Sequence, residues 1–82
     1  MSKTIEKKIL PQYFLDVVSG NKTFELRKDE DDIQPGDTLI LKEWNGEAYT
    51  GNQVACLVSY VLRDAPEYGL MDGYCREKVL AV

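Results

Sequence analysis

The chain switches repeatedly between short strand-like segments and turn residues, and it has room for only one short helix. Alternating or β-branched residues typical of strands occur in four segments and again at the end of the chain: 3–10, 23–28, 37–44, 53–62 and 78–82. Long helices between strands are missing from this pattern, which argues against a parallel βαβ sheet. We therefore predict a single domain, residues 1–82, that is mostly β: a small, mostly antiparallel barrel of five strands with one early helix, closed so that no sheet edge is free.

The helix is predicted at residues 11–19. Pro11 suits the first helical turn, where its missing N–H costs nothing. Gly20 then ends the helix in a left-handed cap. A core-facing stripe follows the spacing i, i+4, i+7, i+8 and comprises Leu10, Phe14, Val17 and Val18.

Three connecting segments carry turn signals. Pro35 and Gly36 fit the central positions of a type II turn before the third strand. The segment 45–52 allows either a tight hairpin at Asn45-Gly46 or a longer loop, and in both cases its flanking strands pair antiparallel. Residues 64–74 contain two Gly and a Pro, so they can hold at most a short helical turn.

The strand at residues 23–28 has an unusual charge pattern. Period-two alternation places Phe24 and Leu26 on one face, and we expect that face to lie in the core. Glu25 and Arg27 then share the other face, where their side chains can meet.

Residues 20–27, G-N-K-T-F-E-L-R, match the pattern G-x-K-x-x-E-x-R, and the chain resembles the ASCH domain of the PUA-like superfamily on these residues. Gly36 and Asp37 also fit the strand entry G-D-x-L-x-L of that family. The likeness is greatest to small bacterial and phage ASCH-like proteins of unknown function. The resemblance implies a PUA-like barrel of five or six antiparallel or mixed strands with one N-terminal helix. It also implies an RNA-binding cleft lined by Lys22, Glu25 and Arg27, in which Gly20 serves the helix-to-strand turn.

The chemistry of these residues is compatible with that role. An ammonium and a guanidinium supply directed donors for a phosphate or a base edge, while a carboxylate orients the arginine or accepts from an exocyclic amine. Trp44 and Tyr49 flank the hairpin turn and are candidates for stacking on a base. The alternative is that Lys22, Glu25 and Arg27 form a solvated ion-pair ladder worth ~0–1 kcal/mol.

An enzyme is a second interpretation, because some ASCH-like proteins hydrolyse acylated cytidine and one group is reported to cleave RNA. Lys22 and Glu25 would then be the catalytic candidates. The hydrolase pattern departs at Glu25, where it has threonine, and residues 64–72 are too short for the insertion that carries its glutamate. A phage or bacterial protein-interaction module is a third interpretation.

Composition limits the remaining possibilities. The net charge is −4 and the chain has no His, so a polyanion could bind only locally and a His-based metal site is excluded. We expect no cofactor, and we interpret residues 29–32, four consecutive acids, as a solvated loop that could repel phosphate from one side of the cleft.

Cys56 and Cys75 are predicted to be buried thiols. The first residues resemble neither a signal peptide nor a membrane span, which predicts a cytoplasmic protein.

Overall fold

The computed structural model describes residues 2–63, 67, 69–70 and 73–81. It is mostly β, as the sequence predicts, with one helix between the first two strands. In chain order the elements are β1 (Thr4–Ile9), α1 (Pro11–Val18), β2 (Phe24–Lys28), β3 (Thr38–Trp44), β4 (Tyr49–Arg63) and β5 (Tyr74–Ala81). In the described part of the chain, no helix is both long enough and apolar enough to cross a membrane.

The five strands form one mixed sheet in the order β1-β3-β4-β5-β2. β1 pairs with β3 in parallel, and the other neighbours pair antiparallel. The sheet curls into a half-barrel whose edge strands are β1 and β2. The prediction of a fully closed barrel is therefore wrong for the described residues, which show no β1–β2 ladder. A side chain of β2 instead bonds to the backbone of β1 across the seam.

The helix packs against β3 and β5. Phe14 and Val17 from the predicted stripe are buried there, whereas Leu10 and Val18, at the two ends of the helix, are exposed. Only the middle of the stripe therefore faces the core. The buried apolar cluster consists of Ile9, Phe14, Val17, Ile33, Leu39, Leu41, Cys56, Val58 and Val79.

Two glycines adopt the left-handed conformation that their turns need. Gly20 has φ +82° and its N–H donates to the carbonyl of Val17, which ends α1 and redirects the chain toward β2. Gly36 has φ +96° in the predicted turn, where the N–H of Asp37 donates to the carbonyl of Gln34.

The Asp37 side chain fastens this turn to the start of β1. Its Oδ1 accepts from the backbone N–H of Lys3 at 2.9 Å. Its Oδ2 accepts from the Lys3 ammonium at 2.7 Å and from the N–H of Gln34 at 2.8 Å. Asp37 is 1% exposed, so these donors replace water around a buried carboxylate.

The β3–β4 hairpin uses a four-residue connection rather than a two-residue turn. Trp44 pairs with Tyr49, and the N–H of Asn45 donates to the carbonyl of Ala48. The Asn45 side-chain oxygen accepts from the N–H groups of Glu47 and Ala48. This side-chain bonding stabilises the longer of the two loops that the sequence allows.

β4 and β5 are both longer than predicted, and their pairing contains an irregularity. The register shifts between Val58 and Tyr60, so Val58 faces the core while Tyr60 is exposed. The two-residue alternation of β4 is therefore broken at this bulge, and Tyr60 does not join Cys56 in the core. Both cysteines are free and buried, as predicted. β5 begins at Tyr74, and most of the predicted turn at 64–74, including Tyr68, lies outside the described residues.

Candidate functional site

Strand β2 faces the opposite way from the sequence-based prediction. Phe24 and Leu26 are 39% and 58% exposed, whereas Glu25 is only 4% exposed. The alternation itself is correct, but the charged face points into the half-barrel. This inversion is possible because Glu25 is compensated by two cations in its immediate neighbourhood, so its burial leaves no isolated charge.

The Glu25 carboxylate lies between Lys22 and Arg27. The Lys22 ammonium donates to Oε1 at 2.5 Å, and Nη2 of Arg27 lies 3.0 Å from Oε2. The Lys22 and Arg27 side chains are each about one-fifth exposed, at 20% and 21%. The three charged residues of the motif therefore converge, with the anion inside and both cations reaching solvent.

Arg27 also spans the seam between the two sheet edges. Its Nη2 donates to the carbonyl of Lys8 on β1 at 2.8 Å. Beside this bond lies a cleft of about 460 Å³, which we call the seam cleft. Its lining comes from the end of β1, the helix α1 and the strand β2, and comprises Lys8, Ile9, Leu10, Tyr13, Lys22, Phe24, Glu25, Leu26 and Arg27.

The seam cleft combines positive charge with apolar walls. Three cations and one carboxylate line it, which gives a local charge of +2 in a chain whose net charge is −4. The Lys22 ammonium lies 5.5 Å from the ring centroid of Tyr13 and 5.4 Å from that of Phe24. Both rings are partly exposed, so they offer faces to a ligand beside the ammonium.

Trp44 and Tyr49 contact each other near the seam cleft without lining it. Their ring centroids are 5.0 Å apart in an edge-to-face arrangement. The Lys8 ammonium, which belongs to the lining of the cleft, lies 4.1 Å from the Trp44 ring centroid and 5.9 Å from that of Tyr49. The two aromatic residues thus hold Lys8 by cation–π contact, and their predicted contact with a ligand stays a prediction.

A buried polar cluster lies behind the motif on β5. Glu77 is opposite Glu25, and Cys75 is opposite Arg27, in the β2–β5 register. Cys75 Sγ donates to Glu77 Oε2 at 3.0 Å. Among the described residues, Glu77 Oε1 and Arg27 Nε have no hydrogen-bond partner, although both atoms are buried.

Burial changes the protonation of this cluster. Glu77 is fully buried, and loss of hydration raises the pKa of its carboxyl, although Arg27 acts in the opposite direction. Burial, together with the hydrogen bond to Glu77, raises the pKa of Cys75 to about 12. Cys75 therefore remains a neutral thiol and serves as a donor rather than a nucleophile.

The acidic run after β2 is paired rather than simply solvated. Asp29 bonds to Arg63 at 2.6 and 3.1 Å, and Asp31 forms an ion pair with Lys7. Arg63 also donates to the carbonyl of Ile33. These cations offset much of the local negative charge, which weakens the idea that the run repels phosphate from the cleft.

Comparison with known proteins places the chain in a family. Residues 4–80 match the family described as "Domain of unknown function (DUF3850)". The chain belongs to the DUF3850 family. It is also 39% identical over 61 residues to the "Uncharacterized 12.9 kDa protein in GpA 3'region" of Escherichia phage P2. That alignment covers 74% of this chain and 56% of the phage protein, so the match spans about half of the relative's length.

Sequence reasoning missed several residues of the seam cleft in this DUF3850 domain. Lys8 and Tyr13 line the cleft because β1 and β2 are the two edges of a curled sheet, and adjacency of edges leaves no signal in a single sequence. Glu77 could have been noticed as a charged residue alternating with Cys75 and Val79 on the last strand. That alternation is the only signal that marks it as inward-facing.

Proposed function

We propose that this DUF3850 domain binds RNA or a nucleotide in the seam cleft. The observation that carries the proposal is the local reversal of charge: Lys8, Lys22 and Arg27 meet at one concave site of an acidic chain. Phosphate is the biological anion that such a group of ammonium and guanidinium donors fits well.

The walls of the cleft support a nucleotide over a simple anion. The rings of Tyr13 and Phe24 lie 5.5 and 5.4 Å from the Lys22 ammonium and are partly exposed, so an unpaired base can stack on them. Glu25 adds a carboxylate acceptor to the lining of the cleft, suited to an exocyclic amine. The volume of about 460 Å³ is within the range of ~300–1,000 Å³ that is typical of small-ligand sites.

Binding is favoured over hydrolysis by the pairing of the two catalytic candidates. Lys22 donates to Glu25 at 2.5 Å, so the two groups are engaged with each other rather than free to attack a substrate. Glu25 in turn forms ion pairs with both Lys22 and Arg27. The Lys22–Glu25 pair is therefore arranged to orient hydrogen-bond donors toward a ligand.

The resemblance of residues 20–27 to the ASCH signature supports the same function. Membership of the PUA-like superfamily, with the half-barrel as its five-stranded form, is part of the proposal. A cytoplasmic location is also part of it, because RNA and nucleotides are abundant there.

The test is equilibrium binding of a fluorescently labelled, short single-stranded RNA to the wild type and to Lys22→Ala. Loss of the Lys22 ammonium removes a charge-assisted hydrogen bond to phosphate, so we expect affinity to fall at least about tenfold. Circular dichroism of each variant verifies that the domain is folded.

The matched control is Lys42→Ala. Lys42 pairs with Glu6 at 3.2 Å and is not part of the cleft lining, so the variant loses the same charge elsewhere. Equal losses for Lys22→Ala and Lys42→Ala would indicate non-specific attraction and contradict the proposal. No detectable binding by the wild type would contradict it as well.

A further inference from the structure

The outer face of the half-barrel carries a second regular arrangement of cationic and apolar side chains. In the sheet register, Lys78 lies between Phe24 and Tyr60, and Arg76 lies between Leu26 and Leu62. Each row thus crosses β2, β5 and β4, with a cation in the centre and an apolar side chain on either side. We call these six residues the outer groove.

Two hollows lie along the outer groove. They measure about 290 and 340 Å³, and Phe24, Leu62 and Arg76 line both of them. Among the described residues that line the hollows, Arg76 and Lys78 are the charged ones. The outer groove is therefore positively charged, again in contrast to the net charge of the chain.

Phe24 connects the outer groove to the seam cleft. It lies on edge strand β2 and lines the seam cleft as well as both hollows. Arg76 lines both hollows, and its guanidinium carbon lies 4.6 Å from the Phe24 ring centroid. Lys22 lines the seam cleft, and its ammonium lies 5.4 Å from the same centroid. The Phe24 ring thus lies close to one cation of the seam cleft and one cation of the outer groove.

We propose that the ligand is a single-stranded RNA segment, which enters the seam cleft, crosses β2 at Phe24 and continues over the outer groove. The inference rests on the function proposed above and extends it from one nucleotide to a strand. The row Phe24–Lys78–Tyr60 places a cation between two stackable rings, which fits a phosphate and the neighbouring bases of a single strand. A duplex would keep its bases paired and would leave Phe24 and Tyr60 without a partner.

The alternation of charge and apolar surface is what favours nucleic acid over a protein partner. A second copy of this acidic chain could cover Tyr60 and Leu62 by apolar contact. It would nonetheless have to bury Arg76 and Lys78 or offer acids to them. A phosphodiester backbone supplies that negative charge at regular intervals.

The experiment compares two labelled RNAs, of about two and about eight nucleotides, on the wild type, Tyr60→Ala, Arg76→Ala and Leu80→Ala. Leu80 is an exposed β5 residue outside both hollows, so Leu80→Ala is the matched control. We expect the longer RNA to bind the wild type more tightly. We also expect Tyr60→Ala and Arg76→Ala to lose about tenfold for the longer RNA only, and Leu80→Ala to leave both affinities unchanged.

The outcomes separate the two proposals. If the short RNA binds and added length brings no gain, the outer groove does not bind RNA and this inference is overturned alone. If neither RNA binds, the proposed function itself fails. Concentration-dependent dimerisation that Tyr60→Ala abolishes, in gel filtration, would assign the outer groove to a second copy of the chain and also overturn the inference.

Discussion

Two buried carboxyl groups, Asp37 and Glu77, have opposite environments and therefore opposite effects on stability. Asp37 is surrounded by donors, and the hydrogen bond from the Lys3 ammonium, followed by those from the N–H groups of Gln34 and Lys3, lowers its pKa from 3.8 to about 2. Burial without enough donors instead raises the pKa of Glu77. The ionised Asp37 therefore stabilises the fold, whereas an ionised Glu77 weakens it.

The Asp37→Asn variant tests the first of these effects. The folded state binds the Asp37 proton less tightly than the unfolded chain, so the carboxylate stabilises the fold above pH 3.8 and this contribution disappears as the pH falls to about 2. We expect Asp37→Asn to melt several degrees below the wild type at pH 6, and the difference to shrink between pH 4 and pH 2. Asp16→Asn, at an exposed position of α1, is the control. A difference in melting temperature independent of pH would contradict the assignment.

The Glu77→Gln variant tests the effect of the buried Glu77 carboxyl on stability. Burial raises the pKa of Glu77, so the folded state binds this proton more tightly than the unfolded chain does. The resulting stabilisation is complete at a pH below the ordinary pKa of glutamate. It is lost as the pH rises through the pKa that Glu77 has in the folded state. Glutamine is nearly isosteric and carries no charge. We expect its urea midpoint, relative to the wild type, to be higher at pH 8 than at pH 4. A wild type that gains on the variant over this range would show that Glu77 is well compensated.

At the scale of elements, β2 shows what a periodic pattern can and cannot predict. Alternation correctly separates Phe24 and Leu26 from Glu25 and Arg27, but it does not state which face is buried. The usual assumption that apolar residues face inward fails here because Lys22 and Arg27 compensate Glu25 inside the half-barrel. Lys22 belongs to the turn before β2, and Arg27 is also held across the seam by the Lys8 carbonyl, so the pattern within one strand does not contain these contacts.

Alanine substitution of Leu26 measures the orientation of β2. Leu26 is 58% exposed, whereas Leu39 on β3 is fully buried. We expect Leu26→Ala to lower the free energy of unfolding by less than about 1 kcal/mol and Leu39→Ala to lower it by about 2–5 kcal/mol. Urea unfolding measures both. Equal costs would place Leu26 in the core and restore the orientation inferred from sequence.

The helix-to-strand turn makes a separate prediction. Gly20 has φ +82°, and a Cβ at that position would meet no atom within 4 Å, so only the backbone conformation disfavours a side chain. We expect Gly20→Ala to lower the free energy of unfolding by about 1–2 kcal/mol, and Gly20→Asn to lower it by less, because asparagine tolerates the left-handed region. Identical losses for the two variants would argue against a conformational cause.

At the scale of the whole molecule, the seam between β1 and β2 determines the candidate site. Strand content, the helix, its glycine cap and the Gln34–Asp37 turn were all predictable, because each depends on residues close together in sequence. The meeting of Glu25 and Arg27 was predictable for the same reason, whereas the place of Lys22 beside them followed only from the resemblance to the ASCH signature. Lys8 and the outer groove were not, because they depend on the strand order and on a bulge in β4.

The most direct test of the proposed RNA-binding role is to map the bound ligand by NMR. Backbone amide chemical shifts of the domain would be recorded during titration with a short single-stranded RNA. The account predicts that the largest changes lie along the seam cleft, at Lys8, Tyr13, Lys22 and residues 24–27, and vanish in Lys22→Ala. Changes centred instead on the acidic segment at residues 29–32, or no changes at saturating RNA, would contradict it.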